Sequence, residues 1–428
     1  MGKRALRVLW IHESLEPLEH LTNQVYASVS ALSKENIVSI LLYNPLKNYD
    51  PTFLQVFQEA YPIINLEKQI VEIDPDRLCI CTLKKEKFDS IPKKFKGFIF
   101  KYDTANIFKI LRQEYSAKRE RILEQDIPQF DVVLRTCNDE DIIAMTLKGL
   151  LGQHLQPRQI HIVDSGSQDN TLDIIHSFGL TVHQILPEEY FPGKILNESA
   201  RQLNEEIIIF LNSDAIPLSP LTFTYLLRPF KNETVQATFA RQVPRPDAEP
   251  WVVRDYRAAF PETSPAPQWM PFSLPCAAIR RTAWEKHPFY TLAWGSEDTE
   301  WGVWAKENEY KIMYIPEACV MHSHNYSLKE IYGRRFIEGE ADAFIYSSPY
   351  TPFHVLKDTC KASIRDFFAS LQQHTYLSLF KIPLRRFIYY WGYYSGHTFG
   401  LSRKKQQVND PSQGQKIVLS SKQLGKKR

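Results

Sequence analysis

The chain has no uninterrupted apolar run of the eighteen or so residues that a membrane span requires, and its strongest run, Ile207 to Leu211, has the length of a strand. A helix crossing a bilayer is therefore not expected. Its six cysteines, Cys79, Cys81, Cys137, Cys276, Cys319 and Cys360, include one C-x-C and no C-x-x-C pair. Neither a zinc ribbon nor a disulfide framework fits that spacing, and the reduced thiols of a cytosolic protein are expected instead. There is no excess of one charge: 52 Lys and Arg stand against 49 Asp and Glu, a net +3. Nucleic acid is thus not an expected partner. The first residues, MGKRALRVLWIHESL, contain too short an apolar stretch for a signal peptide, and Leu6 stands where myristoylation would want Ser or Thr. With no export signal, the sequons at Asn197, Asn232 and Asn325 are expected to go unused.

What is present is the balance of a folded protein, 43% hydrophobic and 24% charged over 428 residues, enough for two or three domains. Residues 5 to 10 and 37 to 43 read as strands around an amphipathic helix at 20 to 33, and a charged helix is expected from Ile107 to Glu124. Residues 1 to 125 are accordingly expected to form a small α/β domain, without a Gly-rich phosphate loop, in a structural or docking role. After Pro128 strands and helices alternate: a strand at 131 to 136, a helix from Asp139 to Leu151, a strand at 159 to 163, the helix LDIIHSF, a helix over about Ile195 to Leu203, and a strand at 206 to 211. Such alternation implies a mostly parallel sheet, in which ligands sit at the carboxyl ends of the strands. The polar clusters fall at those ends.

Asp164 follows directly on a strand in DSGSQDNT, where a carboxylate can accept the imide N–H of a pyrimidine base or simply cap the next helix. Asn212-Ser213-Asp214 ends the most hydrophobic strand, and an aspartate at that tip can hold Mg²⁺ or Mn²⁺ or bond its own turn. Glu297 and Asp298 lie between tryptophans in WGSEDTEW, where a carboxyl with a raised pKa suits a general base. His322 and His324 follow the strand-like EACVM, and two-residue spacing in an extended chain puts both on one face, where one imidazole could complete a metal site begun by Asp214.

The order of these clusters over residues 131 to about 328 resembles an inverting nucleotide-sugar glycosyltransferase of family 2, with the GT-A fold, and most closely its rhamnosyltransferase-like branch. The stretches that carry the likeness are VVLRTCNDE, DSGSQDNT, FPGKILNESAR, FLNSDAIPL, AAIRRTAWEKHPF, SEDTEW and YIPEACVMHSHNYSL, all in order. The resemblance implies that Asp164 binds the base, with Thr136 and Asn138 lining the pocket. Lys194, Asn197, Arg201 and Ser213 would contact the donor. The D-x-D metal motif falls on Asn212-Ser213-Asp214, so only the second acid remains, and His322 falls where a side chain can meet the metal or the diphosphate. The acidic pair Glu297-Asp298 inherits the base, with Asp298 favoured. The activity implied is transfer from a dTDP- or UDP-activated sugar, dTDP-rhamnose being one candidate, to a saccharide or lipid-linked hydroxyl in cell-envelope glycan synthesis, with Mg²⁺ or Mn²⁺. A nucleotidyltransferase, or an inactive membrane-docked glycan- or nucleotide-binding protein, is an alternative.

Residues 126 to 328 are thus read as the catalytic domain, 329 to 400 as a helical region and 401 to 428 as a basic, disordered tail. From Lys329 to Gly400 there are 17 aromatic residues in 72, and Leu401 to Arg428 carries eight basic residues against Asp410. Aromatic and basic side chains together suit an anionic membrane surface, and equally a helical pack closing the catalytic domain. A cytoplasmic protein, peripheral on the inner face of the cell membrane, is the location this composition suggests.

Overall fold

The computed structural model describes residues 127–408 apart from 154, 219–221, 246–247, 347 and 373–380, together with residues 7–12, 29, 38–43, 57–62, 77–80, 100–101 and 416. The helices expected over 107 to 124 and, save Val29, over 20 to 33 lie outside the described residues, as do residues 409–415 and 417–428 of the expected basic tail, whose first residues, 401 to 406, are helical instead.

Two sheets are present. The first runs in the order β3-β2-β1-β4-β5 and contains β1 (Arg7–His12), β2 (Val38–Tyr43), β3 (Glu59–Pro62), β4 (Arg77–Ile80) and β5 (Phe100–Lys101). Every pairing in it is parallel, and Val8 to Ile11 of the central strand are fully buried. A strand with neighbours on both edges and apolar residues throughout belongs inside a two-sided α/β layer.

The second sheet holds the site. Its strands are β6 (Phe130–Thr136), β7 (Ile160–Asp164), β8 (Val182–Gln184), β9 (Ile207–Asn212), β10 (Ile216–Pro217), β11 (Val235–Val243), β12 (Cys276–Arg280) and β13 (Lys311–Met321). They lie in the order β10-β13-β11-β12-β9-β6-β7-β8. Four pairings are parallel and three antiparallel, so the sheet is α/β and only narrowly parallel. The run Ile207 to Leu211 is apolar at every position because β9 is central and covered on both faces. Ile207, Ile209 and Leu211 pack with Val132 and Leu134 on one side, whereas Ile208 and Phe210 pack with Val133, Phe239 and Trp301 on the other. The two-residue period of the strand sorts one sequence run into two cores.

The flanking helices are α1 (Ile143–Leu151), α2 (Thr171–Ser177), α3 (Pro192–Arg201), α4 (Thr222–Leu227), α5 (Pro250–Ala259), α6 (Arg281–Lys286) and α7 (Glu297–Glu307). The helix expected from Asp139 begins only at Ile143, because the Asp139 side chain accepts from Thr136, Cys137 and Ser213 and holds a turn instead. The β6, β7 and β9 tips lie side by side, with Thr136 opposite Asp164 and Arg135 opposite Asn212.

Helices α8 (Leu328–Ile345), α9 (Pro352–Gln372) and α10 (Ile382–Gln406) form the C-terminal region. Ser327 and Glu330 close a reciprocal capping box at the start of α8. Glycines four apart on α10 let the two helices touch backbone to backbone: a Cβ on Gly396 would lie 1.8 Å from the Phe336 carbonyl oxygen, and one on Gly400 2.5 Å from that of Glu340. The Arg403 guanidinium then forms a buried ion pair with Glu340 and donates to the Leu292 carbonyl at 2.9 Å, so α10 also anchors the loop that leads into α7. Gly396→Ala must push the helices apart, and we expect a loss of about 3 kcal/mol, read as a lower midpoint in thermal or urea unfolding. A variant that unfolds with the parent protein would contradict this seam.

Candidate active site

At the carboxyl edge of the second sheet, Asp214 meets the turn that follows β13. His324 Nε2 lies 3.0 Å from Asp214 Oδ2, His322 Nε2 lies 3.5 Å from Asp214 Oδ1, and the two Nε2 atoms are 3.2 Å apart. These three residues form a cluster whose ligand atoms all lie within 4.8 Å of one another. Both histidines follow the strand rather than lie in it, yet both reach Asp214, so His324 joins His322 instead of yielding to it.

The cluster has the chemistry of a divalent-cation site. Burial alone would raise the Asp214 carboxyl, but the facing His322 and His324 imidazoles, with Arg334 beyond, hold it well below its ordinary value and keep it ionised. Burial pushes the His322 imidazolium down to about 4 against the pull of Asp214, so this ring is neutral. We assign its proton to Nδ1, which lies 2.8 Å from Gln242 Oε1, and this leaves the Nε2 lone pair facing the cluster. Gln242 is itself fixed by donating from Nε2 to Ser273 Oγ at 2.8 Å. Val243 and Met321 are register partners in parallel β11 and β13, which explains how Gln242 comes to stand beside His322, 80 positions away. We expect Gln242→Leu to weaken Mn²⁺ binding by about 10- to 100-fold, measured by calorimetry. Gln242→Glu, which keeps an acceptor, should restore it; equal affinity in all three proteins would remove Gln242 from this role.

A second group of residues faces the same edge. Gly295 (φ 111°) and Ser296 (φ 58°) turn the chain left-handed into α7, whose first turn carries Glu297, Asp298 and Glu300. Gly295 is constrained twice, since a Cβ there would also lie 2.8 Å from Ile337. Acids at a helix N-terminus are favoured by the helix dipole. The two neighbours have different surroundings. Glu297 is buried and accepts from Arg135 Nη1 at 3.1 Å, while Arg135 Nη2 donates to Asn212 Oδ1 at 2.9 Å. Among the described residues Asp298 forms no ion pair and accepts the backbone N–H groups of Leu274 (3.2 Å) and Thr299 (2.8 Å). Burial and the like charge of Glu297 raise its carboxyl to about 6, against those N–H groups and the more distant Arg135.

The remaining expected residues divide. Thr136 and Ser213 are both buried and bond to Asp139, whose carboxyl is raised by burial. Asn138, at φ 55°, donates its N–H to Ser167 Oγ (2.7 Å) and accepts from Gln168 N–H (2.8 Å), stitching the loops after β6 and β7 together. Asp164 is wholly buried; its carboxylate accepts from Gly166 N–H (3.0 Å), Ser167 N–H (2.8 Å) and the Ser167 hydroxyl, so it shapes the turn rather than facing solvent. Lys194 is exposed at the start of α3, 3.8 Å from Glu198.

Two residues are not brought to the edge. Asn197 is buried and spends its amide on Phe289 and Trp284, and so packs α3 against the segment before α7. Arg201 sits exposed at the far end of α3, where the Ala200 carbonyl accepts from Arg281 and the Arg281 N–H reaches Glu206 just before β9 begins. That is the opposite edge of the sheet, about 15 Å of helix away from Pro192. Conversely Arg135, Gln242 and His324 belong to the site, and Arg334 stands exposed over the Tyr326 ring at 5.1 Å, while Tyr326 stacks on His324 with centroids 4.9 Å apart.

Among the described residues Cys137, Cys276, Cys319 and Cys360 are free thiols, and no helix is long and apolar enough to cross a membrane.

The chain is similar to known proteins over part of its length. Residues 131–288 match the family described as Glycosyl transferase family 2. The O-antigen chain rhamnosyltransferase RfbN of Salmonella typhimurium (strain LT2) is 27% identical over 223 residues, 49% of this chain and 70% of that protein. The O-antigen chain rhamnosyltransferase WbaN of Salmonella anatum is 29% identical over 198 residues, 43% of this chain and 62% of that protein. Among solved structures, a mannosyltransferase from Pyrobaculum calidifontis in complex with GDP-Man and Mn²⁺ is 15% identical, with a TM-score of 0.45 over 70% of this chain and 95% of that one. Residues 131–288 thus match the glycosyl transferase family 2 model, and about half of the chain is similar to O-antigen chain rhamnosyltransferases.

Proposed function

We propose that this chain transfers a hexosyl group, with inversion, from a dTDP- or UDP-activated donor to a hydroxyl of a saccharide or lipid-linked acceptor, in cell-envelope glycan synthesis. Its rhamnosyltransferase relatives favour dTDP-rhamnose as the first donor to try. The single observation that carries the reading is the pairing, at one sheet edge, of three residues able to hold a cation with a carboxyl whose pKa is raised and which forms no ion pair among the described residues.

The Asp214 carboxylate and the His322 and His324 imidazoles would hold Mn²⁺ or Mg²⁺. Two nitrogen ligands with one carboxylate suit Mn²⁺ better than the harder Mg²⁺. When bound, the ion would act as a Lewis acid toward the diphosphate leaving group. Arg334, exposed beside the cluster, would add a second positive charge for the same diphosphate. The turn that Asp164 organises, with Asn138 stitched to it, would present backbone and hydroxyl groups to the base.

Asp298 would take the proton of the acceptor hydroxyl as that oxygen forms its bond to the anomeric carbon. The bond from that carbon to the diphosphate oxygen breaks with its electron pair, and the nucleoside diphosphate leaves from the opposite face, so the configuration inverts. Arg135 is paired with Glu297, which leaves Asp298 the acid of the two without an ion pair among the described residues.

A base must be ionised to work, so kcat/KM should be level above Asp298's pKa of about 6 and fall about tenfold per pH unit below it. An acid limb absent down to pH about 5 under saturating Mn²⁺ would contradict the assignment. The direct test incubates the protein with dTDP- and UDP-sugars and Mn²⁺ and reads nucleoside diphosphate release and the anomeric configuration of the product. Inverted product from one donor supports the proposal; retained configuration, or silence with every donor and acceptor offered, overturns it.

A further inference from the structure

Eleven of the fifteen exposed large hydrophobic side chains among the described residues lie between Tyr346 and Val408. On α9 they form one stripe: Phe353 (70% exposed), Leu356, Ile364, Phe367 and Phe368. At about 100° per residue these positions fall within an arc of roughly 120°, the width of an apolar helix face. The opposite side of the helix carries Val355, Ala362, Asp366 and Ser370, all buried. The inward face of α9 is therefore already used, and Asp366 is tied there to Arg386 at 2.7 Å. The apolar face is the one left over.

Its flank is basic. Lys357, Lys361 and Arg365, each one helical turn apart, are exposed along one side of the stripe. Arg365 lies 3.6 Å from Asp255 yet keeps 56% of its side chain exposed. The helix has two acids, and neither is exposed: Asp358 is half-buried and accepts from Tyr350 at 2.8 Å, and Asp366 is buried. Helix α10 repeats the pattern with no acid at all, exposing Leu384, Phe387 and Trp391 at turn spacing, with the last two rings stacked 5.8 Å apart. Beyond it the sequence from Gln407 to Arg428 adds five basic residues against one acid, Asp410.

We propose that the outer face of α9, with the neighbouring stripe of α10, docks on an anionic lipid bilayer, the apolar and aromatic side chains entering the headgroup boundary and the flanking cations pairing with lipid phosphates. An aromatic stripe edged by cations, on a helix lying in the plane of the interface, is the pattern such surfaces bind. The charge distribution selects lipid over a second copy of this chain: two such faces brought together would oppose lysine to lysine, with no exposed acid on either helix to relieve them. This inference is independent of the sugar, the acceptor and the chemistry at Asp298.

The test is co-sedimentation of the full chain with phosphatidylcholine vesicles and with vesicles that also contain phosphatidylglycerol. Binding to the anionic vesicles alone is expected. The triple variant Lys357→Gln, Lys361→Gln, Arg365→Gln should weaken it on the order of a hundredfold, at about fivefold for each cation. Phe353→Ser with Phe368→Ser should also release the protein, while nucleoside diphosphate release with a soluble acceptor stays at the parent level and reports intact folding. Equal binding to both vesicle types, no binding to either, or a dimer that the Phe353→Ser, Phe368→Ser variant converts to monomer would each overturn the proposal.

Discussion

Asp298→Asn should lower kcat by about 10²- to 10⁴-fold, the contribution of a positioned proton acceptor, while leaving nucleotide binding unchanged. The substitution keeps size and shape; the Leu274 N–H donates to Oδ2 at 3.2 Å and the Thr299 N–H to Oδ1 at 2.8 Å, so the amide oxygen of Asn keeps one of these two bonds. What is lost is the one acidic side chain of the pair that has no cation on it. Glu297 cannot substitute, because its carboxylate is held 3.1 Å from Arg135 Nη1 and that guanidinium is held in turn by Asn212. Steady-state kinetics together with a binding titration with dTDP or UDP decides the matter. A variant with parent kcat would move the base elsewhere, and a variant that loses nucleotide binding would make Asp298 a structural residue.

Asp214→Ala should give the opposite signature. It removes the only carboxylate of the cluster and leaves two imidazole nitrogens 3.2 Å apart with no counter-charge. Lewis-acid stabilisation of a leaving diphosphate is worth several kcal/mol, or about 10³-fold in rate. The variant should therefore lose both kcat and the Mn²⁺-dependent part of nucleoside diphosphate binding. His324→Ala should lie between Asp214→Ala and the parent protein, since His322 keeps its orientation through Gln242. If Asp214→Ala binds Mn²⁺ and nucleotide as the parent does, the cluster is an ordinary hydrogen-bonded turn.

The parts of the site readable from sequence were those written by local pattern. Hydrophobic runs that stop in Asp164 and in Asn212-Ser213-Asp214 name strand tips, and parallel neighbours put those tips on one edge. Acids between tryptophans name a buried helix start, which the left-handed Gly295-Ser296 pair confirms. The parts that were not readable depend on pairing across the chain. Arg135 reads as an interior strand residue until its register partner, Asn212, places it at the tip. Gln242 becomes a partner of His322 only because β11 and β13 run parallel with Val243 beside Met321. Asn197 and Arg201 show the reverse case. They share a sequence stretch with Lys194, but a helix that leaves the site carries them into the core and to the far edge. The aromatic C-terminal region left two alternatives open in sequence, and the helices divide them by face. The α8–α10 seam is a packed closure, whereas the α9 stripe stays exposed.

In the proposed function a cation held by Asp214, His322 and His324 would grip the donor's diphosphate. Isothermal titration of dTDP and UDP into the protein, once with Mn²⁺ and once with EDTA, tests it most directly. The nucleotide should bind tightly only with Mn²⁺, Asp298→Asn should bind it the same way, and Asp214→Ala should not. Nucleotide affinity unchanged by EDTA, in a protein that nevertheless transfers sugar, would contradict it.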